Sequence, residues 1–247
     1  MSRPHADYRT RHLSPPVASR YDALFGPGTY EDWVWEFERH DLETLVDQYV
    51  FSHKLSVRFL DVACGAGRVL SLLESKMLTA TGVDVSEAML ALARKRVSRA
   101  TLLATDITKP DGLPAGGFDL ITAFRFFLNA GPNLRADALR AIRWLLADDG
   151  VFILNIHGNL WSLHFIPYMV RGVIMRRDLT ALSLHSMSRL LAQHGFQVEA
   201  VAGQAWCTRR VYAFIGRRVC DWIERRIRQT LLSRLFSVNL MIVCRKR

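Results

Sequence analysis

The chain of 247 residues is half hydrophobic and 23% charged, enough to bury a core as one large domain or two small ones and too apolar for a disordered tail. Four cysteines, Cys64, Cys207, Cys220 and Cys244, stand far apart without a C-x-x-C pair, which excludes a disulfide framework and a zinc or redox pair of that type and fits a reducing, cytoplasmic setting. The net charge of +10 is concentrated, because residues through Gln204 hold 22 basic and 21 acidic side chains whereas Ala205 to Arg247 holds 11 basic and 2 acidic.

In chain order, the first twenty residues carry Pro4, Pro15 and Pro16 among polar side chains and read as an arm. Glu31 to Val50 has apolar residues at helical spacing (Val34, Phe37, Leu42, Leu45, Val46, Tyr49), which predicts a helix ahead of the first strand. From Val57 strand-like and helical runs alternate: VRFLDVA and a helix from Arg68, TATGVDV and a helix over Ser86 to Val97, ATLLAT, FDLITAF and a helix over Leu134 to Leu146, then GVFILNI. Alternation of this kind implies parallel strands joined by crossover helices and covered on both faces.

Farther on, Ser186 to His194 reads as a helix, FQVEAVA as a strand and SVNLMIVC as the last strand. Between those strands Ile215, Val219, Ile223, Ile227, Leu231 and Leu235 recur every fourth residue, with Arg217, Arg218, Arg225 and Arg228 on the other side. The spacing predicts one basic amphipathic helix over Arg209 to Phe236. Trp222 beside those arginines is the pattern of a helix that meets an anionic membrane surface, and packing on the core is its structural counterpart. The longest apolar stretch, Leu160 to Met175, is interrupted by Ser162, His164, Pro167, Arg171 and Gly172 and falls short of the roughly 18 to 20 residues of a spanning helix.

Chemistry concentrates in LDVACGAGRVL, Leu60 to Leu70. Glycines at a strand-to-helix turn let a ligand approach the backbone and open the helix N-terminus. The dinucleotide fingerprint would need a third glycine where Leu70 stands, and the phosphate loop would need a Gly-Lys-Ser/Thr ending. Asp61, four residues before Gly65, would repel a pyrophosphate and suits the ammonium of an amino acid.

Here the sequence resembles the class I S-adenosylmethionine-dependent methyltransferases. Their first motif is matched by Asp61, Gly65 and Gly67, and the acidic residue ending the second strand by Asp84, which the resemblance assigns to the ribose, with Val85 and Met89 flanking the adenine. Asp106 followed by Ile107 matches the residue after strand three near the adenine amino group. Phe124 follows strand four at the ligand edge, and Tyr21 opens YDALF, similar to the segment with which many small-molecule methyltransferases cover the cofactor.

The resemblance implies an α/β, doubly wound, mostly parallel seven-stranded sheet with helices on both faces and an antiparallel last strand. Residues 1–52 form an arm and capping helix in this reading, and 53–247 the catalytic domain, with a lid insert at 158–185 and the basic insert at 205–236. The cofactor expected is S-adenosyl-L-methionine, the acceptor a small molecule or lipid-like compound, and no metal is expected because no carboxylate cluster follows strand five. Two residues at the ligand edge are the catalytic candidates: His157, suited to general-base work and favouring O-methylation, and Arg125, as a clamp for an acceptor carboxylate or phosphate or as the partner of a carboxylate such as Asp119. A non-catalytic binding module and an RNA methyltransferase are the alternatives. The absence of the Asn/Asp-Pro-Pro-Tyr/Phe motif after strand four and of a recognised RNA-binding module makes nucleic acid the weaker partner.

Overall fold

The structure is a computed structural model that describes residues 14–159, 162, 182–228 and 230–247. Pro15 and Pro16 do not belong to an irregular arm. They open helix α1 (Pro15–Ala23), where a preset φ and a missing N–H cost nothing. Helix α2 (Tyr30–Val46) is capped by Thr29, whose hydroxyl accepts from Asp32 N at 3.1 Å, and runs on as a π-turn over Asp47–Phe51.

The alternating region follows as β1 (Arg58–Val62), α3 (Arg68–Leu73), β2 (Thr79–Asp84), α4 (Glu87–Ala93), β3 (Thr101–Ala104), β4 (Phe118–Ala123), α5 (Pro132–Leu145) and β5 (Leu146–His157). Helix α6 (Leu184–Gln193) then leads into β6 (Phe196–Gln204). Three short helices, α7 (Arg209–Ile215), α8 (Arg217–Ile227) and α9 (Leu231–Phe236), precede β7 (Asn239–Lys246).

The seven strands are ordered β3-β2-β1-β4-β5-β7-β6. β1 to β5 pair in parallel, as the alternation of elements implied, and β7 is antiparallel to both its neighbours, as the resemblance implied for the last strand. Both faces are buried. On one, Leu60, Ile121 and Phe152 pack under Leu139, Ile142 and Met187; on the other, Phe59, Leu120 and Ile153 pack under Leu42, Val46 and Leu70. Period-two alternation of adjacent residues such as Leu120 and Ile121 between two apolar layers is why the strands read as continuous hydrophobic runs.

Chain order reverses between β1 and β4, so the loops at the C-terminal ends of these strands diverge to opposite sides and leave a crevice. Gln204 and His157 both pair with Asn239, the first residue of β7, which sets the two ends of the 205–238 connection at that same edge.

The basic insert differs from the single helix its periodicity predicts. Gly216, at φ 79° and ψ 164°, ends α7 and begins α8, a conformation that only glycine adopts without strain, and Thr230 separates α8 from α9. The expected lid at 158–185 and the expected arm before Ser14 lie outside the described residues, apart from the lid's two ends and Ser162.

The opposite edge is fastened by Asp119 at the start of β4. Its carboxylate meets Lys54 Nζ at 2.6 Å and Arg58 Nε at 2.9 Å and accepts from Arg58 N at 2.9 Å, so it is not the partner of Arg125. Burial alone would raise the Asp119 pKa, but the Arg58 and Lys54 bonds hold it well below the usual carboxylate range. Such a group stabilises the fold above its unfolded pKa of about 4 and stops doing so as acid protonates it. Asp119→Asn should cost roughly 1–3 kcal/mol in urea unfolding at pH 7, less than for a fully buried pair because the two cations remain partly hydrated. The gap between wild type and variant should stay constant above pH about 5 and narrow below pH about 4. A variant as stable as wild type at neutral pH would show that this cluster does not fasten the edge.

Candidate active site

The crevice is open to solvent on one side, and the space between its walls, counted out into that opening, is about 990 Å³. Its floor is the turn between β1 and α3, where Ala63, Gly65 and Gly67 all have positive φ. The two glycines do different work. Gly65 lines the cavity and donates its N–H to Asp84 Oδ2 at 2.9 Å, tying the turn to the end of β2. Gly67 is not part of the lining; a Cβ there would stand 3.1 Å from Ala93 and 3.2 Å from Val97, so its smallness serves the packing of α3 on α4.

Of the other residues singled out for the cofactor, Asp61, Asp84, Val85 and Met89 line the cavity together with Asp106, Ile107, Phe124 and Tyr21. All but two stand where a parallel strand ends: Met89 comes from α4, and Tyr21 is brought across the opening by α1. That helix is held by Asp22, whose carboxylate meets Arg96 Nη2 at 3.1 Å, while Arg96 Nη1 donates to Ala66 O at 2.5 Å. The aspartates occupy distinct environments. Asp61 is buried, accepts from Thr122 Oγ1 at 2.6 Å and has its pKa pushed up to about 7 by burial, with the charge of Asp84 adding to the effect. Asp84 also accepts from Ser86 N at 2.8 Å, and Asp106 accepts from Thr108 N at 2.9 Å and Thr108 Oγ1 at 2.8 Å.

Two arginines face these carboxylates across the cavity, and only one was anticipated. Arg125 lies in the left-handed region at φ 58°, a conformation held by Arg125 N donating to Asn155 Oδ1 at 2.6 Å and Asn129 Nδ2 donating to Arg125 O at 2.7 Å. Its guanidinium meets Glu38 Oε2 at 3.4 Å, which makes α2 the source of its carboxylate partner.

Arg68, first residue of α3, read from sequence only as a helix start. Its guanidinium carbon lies 3.1 Å from the centroid of the Phe25 ring, and its buried Nη1 has no hydrogen-bond partner. Burial, with Arg125 next in weight, lowers its pKa to about 10. The position immediately after the second glycine was the available signal, but nothing in sequence tells a helix-surface arginine from one folded back into the cavity.

His157 ends β5 at the same edge but does not line the cavity. Its Nε2 is 3.4 Å from Asn129 Nδ2, and its buried Nδ1 has no partner. Burial, assisted by the charge of Arg125, lowers its pKa to about 3, so the imidazole is neutral throughout the physiological range and a weak proton acceptor. Cys64 is buried beside the turn and lines the cavity, with burial holding the thiol well above its ordinary range.

Residues 59–150 match the family described as methyltransferase domain. The Bacillus subtilis protein YqeM, named as a candidate methyltransferase, is 27% identical over 155 residues, which cover 61% of this chain and 58% of that protein. The matched stretch thus spans less than two thirds of the relative's own length. Among solved structures, magnesium protoporphyrin IX methyltransferase from Synechocystis PCC 6803 with bound SAH superposes with a TM-score of 0.67 at 14% identity, covering 97% of each chain. The methyltransferase bound to the Trm112 activator of Haloferax volcanii gives 0.65 at 17% identity over 96% of each chain. These likenesses are of fold, and the sequence match adds the domain that carries the glycine turn. Residues 59–150 thus match a methyltransferase domain, and the chain as a whole shares the Rossmann-like fold of S-adenosylmethionine-dependent methyltransferases.

Proposed function

We propose that the protein transfers a methyl group from S-adenosylmethionine to a small-molecule or lipid-like acceptor. The observation that carries this is the buried, unpartnered Arg68 Nη1 in a cavity that also holds Asp61 and Asp84. A zwitterionic amino-acid moiety supplies an anion for the first and a cation for the second, and ribose hydroxyls can donate to Asp84. Asp106 and Ile107 would hold the base, between Val85 and Met89. When bound, the cofactor brings a sulfonium that is already a good leaving group.

What this chain's residues then add is alignment and exclusion of water, with α1 as cover and Tyr21 and Phe124 on the walls. A proton acceptor for a neutral hydroxyl is what the site provides least, since His157 holds a proton so weakly. Oxygen stays the favoured atom in the form that needs no base, an acceptor arriving already ionised, with Arg125 in the wall to meet its charge. Catalytic work for His157 is then that of a neutral hydrogen-bonding partner.

Saturating S-adenosylmethionine or S-adenosylhomocysteine should raise Tm by several degrees. Arg68→Met should melt no lower than wild type without ligand, because it removes a desolvated charge, yet lose ~10-fold or more in cofactor affinity by calorimetry. A wild type with no thermal shift, or an Arg68→Met variant that binds as tightly, would overturn the site assignment. Activity is read as homocysteine-type product release with a panel of carboxylates, phenols and lipid-like acids, and cofactor binding without turnover on any of them would favour a binding module.

Asp61 gives a pH test. An acid whose folded pKa is raised to about 7 is protonated below that pH, while a bound ammonium requires its anion. Cofactor affinity should therefore fall ~10-fold per pH unit below about 7 and level off above it. Asp61→Asn should bind weakly with a flat profile between pH 5 and 8; a profile that keeps the wild-type slope would assign the titration to another group.

A further inference from the structure

Among the described residues, the outer surface of α7, α8 and α9 carries arginines and large apolar side chains and no acid. Only two acidic residues occur in 205–247, and both turn inward: Asp221 Oδ1 accepts from Trp33 Nε1 at 2.6 Å, and buried Glu224 accepts from Ala205 N and Trp206 N. Arg217 and Arg228, expected on a free basic face, are engaged with Glu36 and Asp41 on α2.

What remains outward on α8 is Arg218, Val219, Trp222, Arg225 and Arg226. At 100° per residue these five fall within one 120° sector, whereas Cys220, Ile223, Glu224 and Ile227 occupy the core side. Arg226 belongs to the exposed sector, its guanidinium 5.7 Å from the Trp222 ring. Phe214 on α7 is 91% exposed, and Trp222 and Leu231 are 61% and 73% exposed. Leu232 and Leu235 on α9 are also exposed, beside Arg234. A monomer in water loses hydrophobic free energy by presenting such a set, so the surface is built to be covered.

We infer that these three helices dock the protein on an anionic lipid surface, their apolar side chains entering the headgroup boundary and their arginines meeting lipid phosphates. Charge selects this occupant. A second copy applied to the same face would oppose like charges, and a nucleic acid would satisfy the arginines while leaving Phe214, Leu231 and Leu232 in water. No helix among the described residues is long and apolar enough to cross a membrane, so the contact is interfacial.

The position in the fold gives the contact a use. The three helices lie between Gln204 and Asn239, which pair at the same sheet edge as the cavity, and α8 is bonded to α2, whose Glu38 holds Arg125. Docking through α8 would thus act on the helix whose Glu38 holds Arg125 in the cavity wall. The lipid contact stands apart from the methyl-transfer reading, because it is measured as binding.

The test is co-sedimentation of the full chain with vesicles of phosphatidylcholine alone and of phosphatidylcholine with phosphatidylglycerol. Binding is expected to the anionic vesicles only and should be lost at about 1 M salt, where the screening length is ~3 Å. Phe214→Ser with Trp222→Ser, and separately Arg218→Gln with Arg225→Gln and Arg226→Gln, should each reduce anionic-vesicle binding ~10-fold or more. Arg94→Gln with Arg140→Gln, a loss of two charges at the end of α4 and on α5, should change it little. Unaltered Tm and unaltered S-adenosylhomocysteine binding in the variants separate lost docking from lost folding or a lost cofactor site. Wild type left in the supernatant at low salt, both variant sets binding like wild type, a dimer that dissociates on Trp222→Ser, or tighter binding to an RNA fragment than to the vesicles would overturn the inference.

Discussion

A carboxylate withdrawn from water must be given back the hydrogen bonds it lost, and Glu38 is where this structure meets that demand. The side chain is 1% exposed on α2; Oε1 accepts from Asn155 at 3.2 Å and Asn239 at 3.0 Å, and Oε2 faces Arg125 at 3.4 Å. One residue thereby ties α2 to the turn after β4, the end of β5 and the start of β7. Asn155, already engaged with Glu38, also accepts from Arg125 N and so holds the left-handed turn that sends the Arg125 side chain into the cavity wall. Remove the charge from Glu38 and the strand ends, the strained turn and the cationic wall lose their common anchor together.

The cavity is electrostatically divided. Asp61 and Asp84 repel one another on the side of the glycine turn, while Arg68 and Arg125 do so on the other, and burial amplifies both repulsions. Burial first, and the neighbouring like charge after it, make Asp61 hold its proton to about pH 7 and lower the pKa of Arg68, which also rests against the Phe25 ring. A ligand carrying both an ammonium and a carboxylate would relieve both sides at once. Strain of this kind, tolerated because the sheet and α2 are rigid around it, is a frequent property of binding sites.

The basic C-terminal segment shows how the same residues acquire different roles once helices break. Gly216 divides what the four-residue period joins, so α7, α8 and α9 each turn independently. Ile223 then packs towards Trp33, whereas Val219 and Trp222 emerge beside arginines. Arg217 and Arg228 are spent on binding α2 and do not belong to the free cationic surface.

Strand and helix alternation and the Asp61-Gly65-Gly67 turn were legible in the chain itself, because these features are local: period two against period 3.6 and a glycine where φ is positive; Asp84 and Asp106 were found only through the family resemblance. The same reasoning could identify the glycine pair but not divide its labour, since the neighbour that demands a small Gly67 is Ala93, on another helix. Arg68 and His157 show the limit most clearly. An arginine at a helix start and a histidine at a strand end have ordinary sequence signatures, and only the packing of Phe25 over one and the burial of the other beside Arg125 decided that the first lines the cavity while the second stays neutral behind it. The sequence by itself determined the sheet, its order of elements and the ligand edge; which charges face the ligand, which face a partner helix and which face outward depended on contacts such as Arg125 with Glu38, 87 positions apart, that no local pattern encodes.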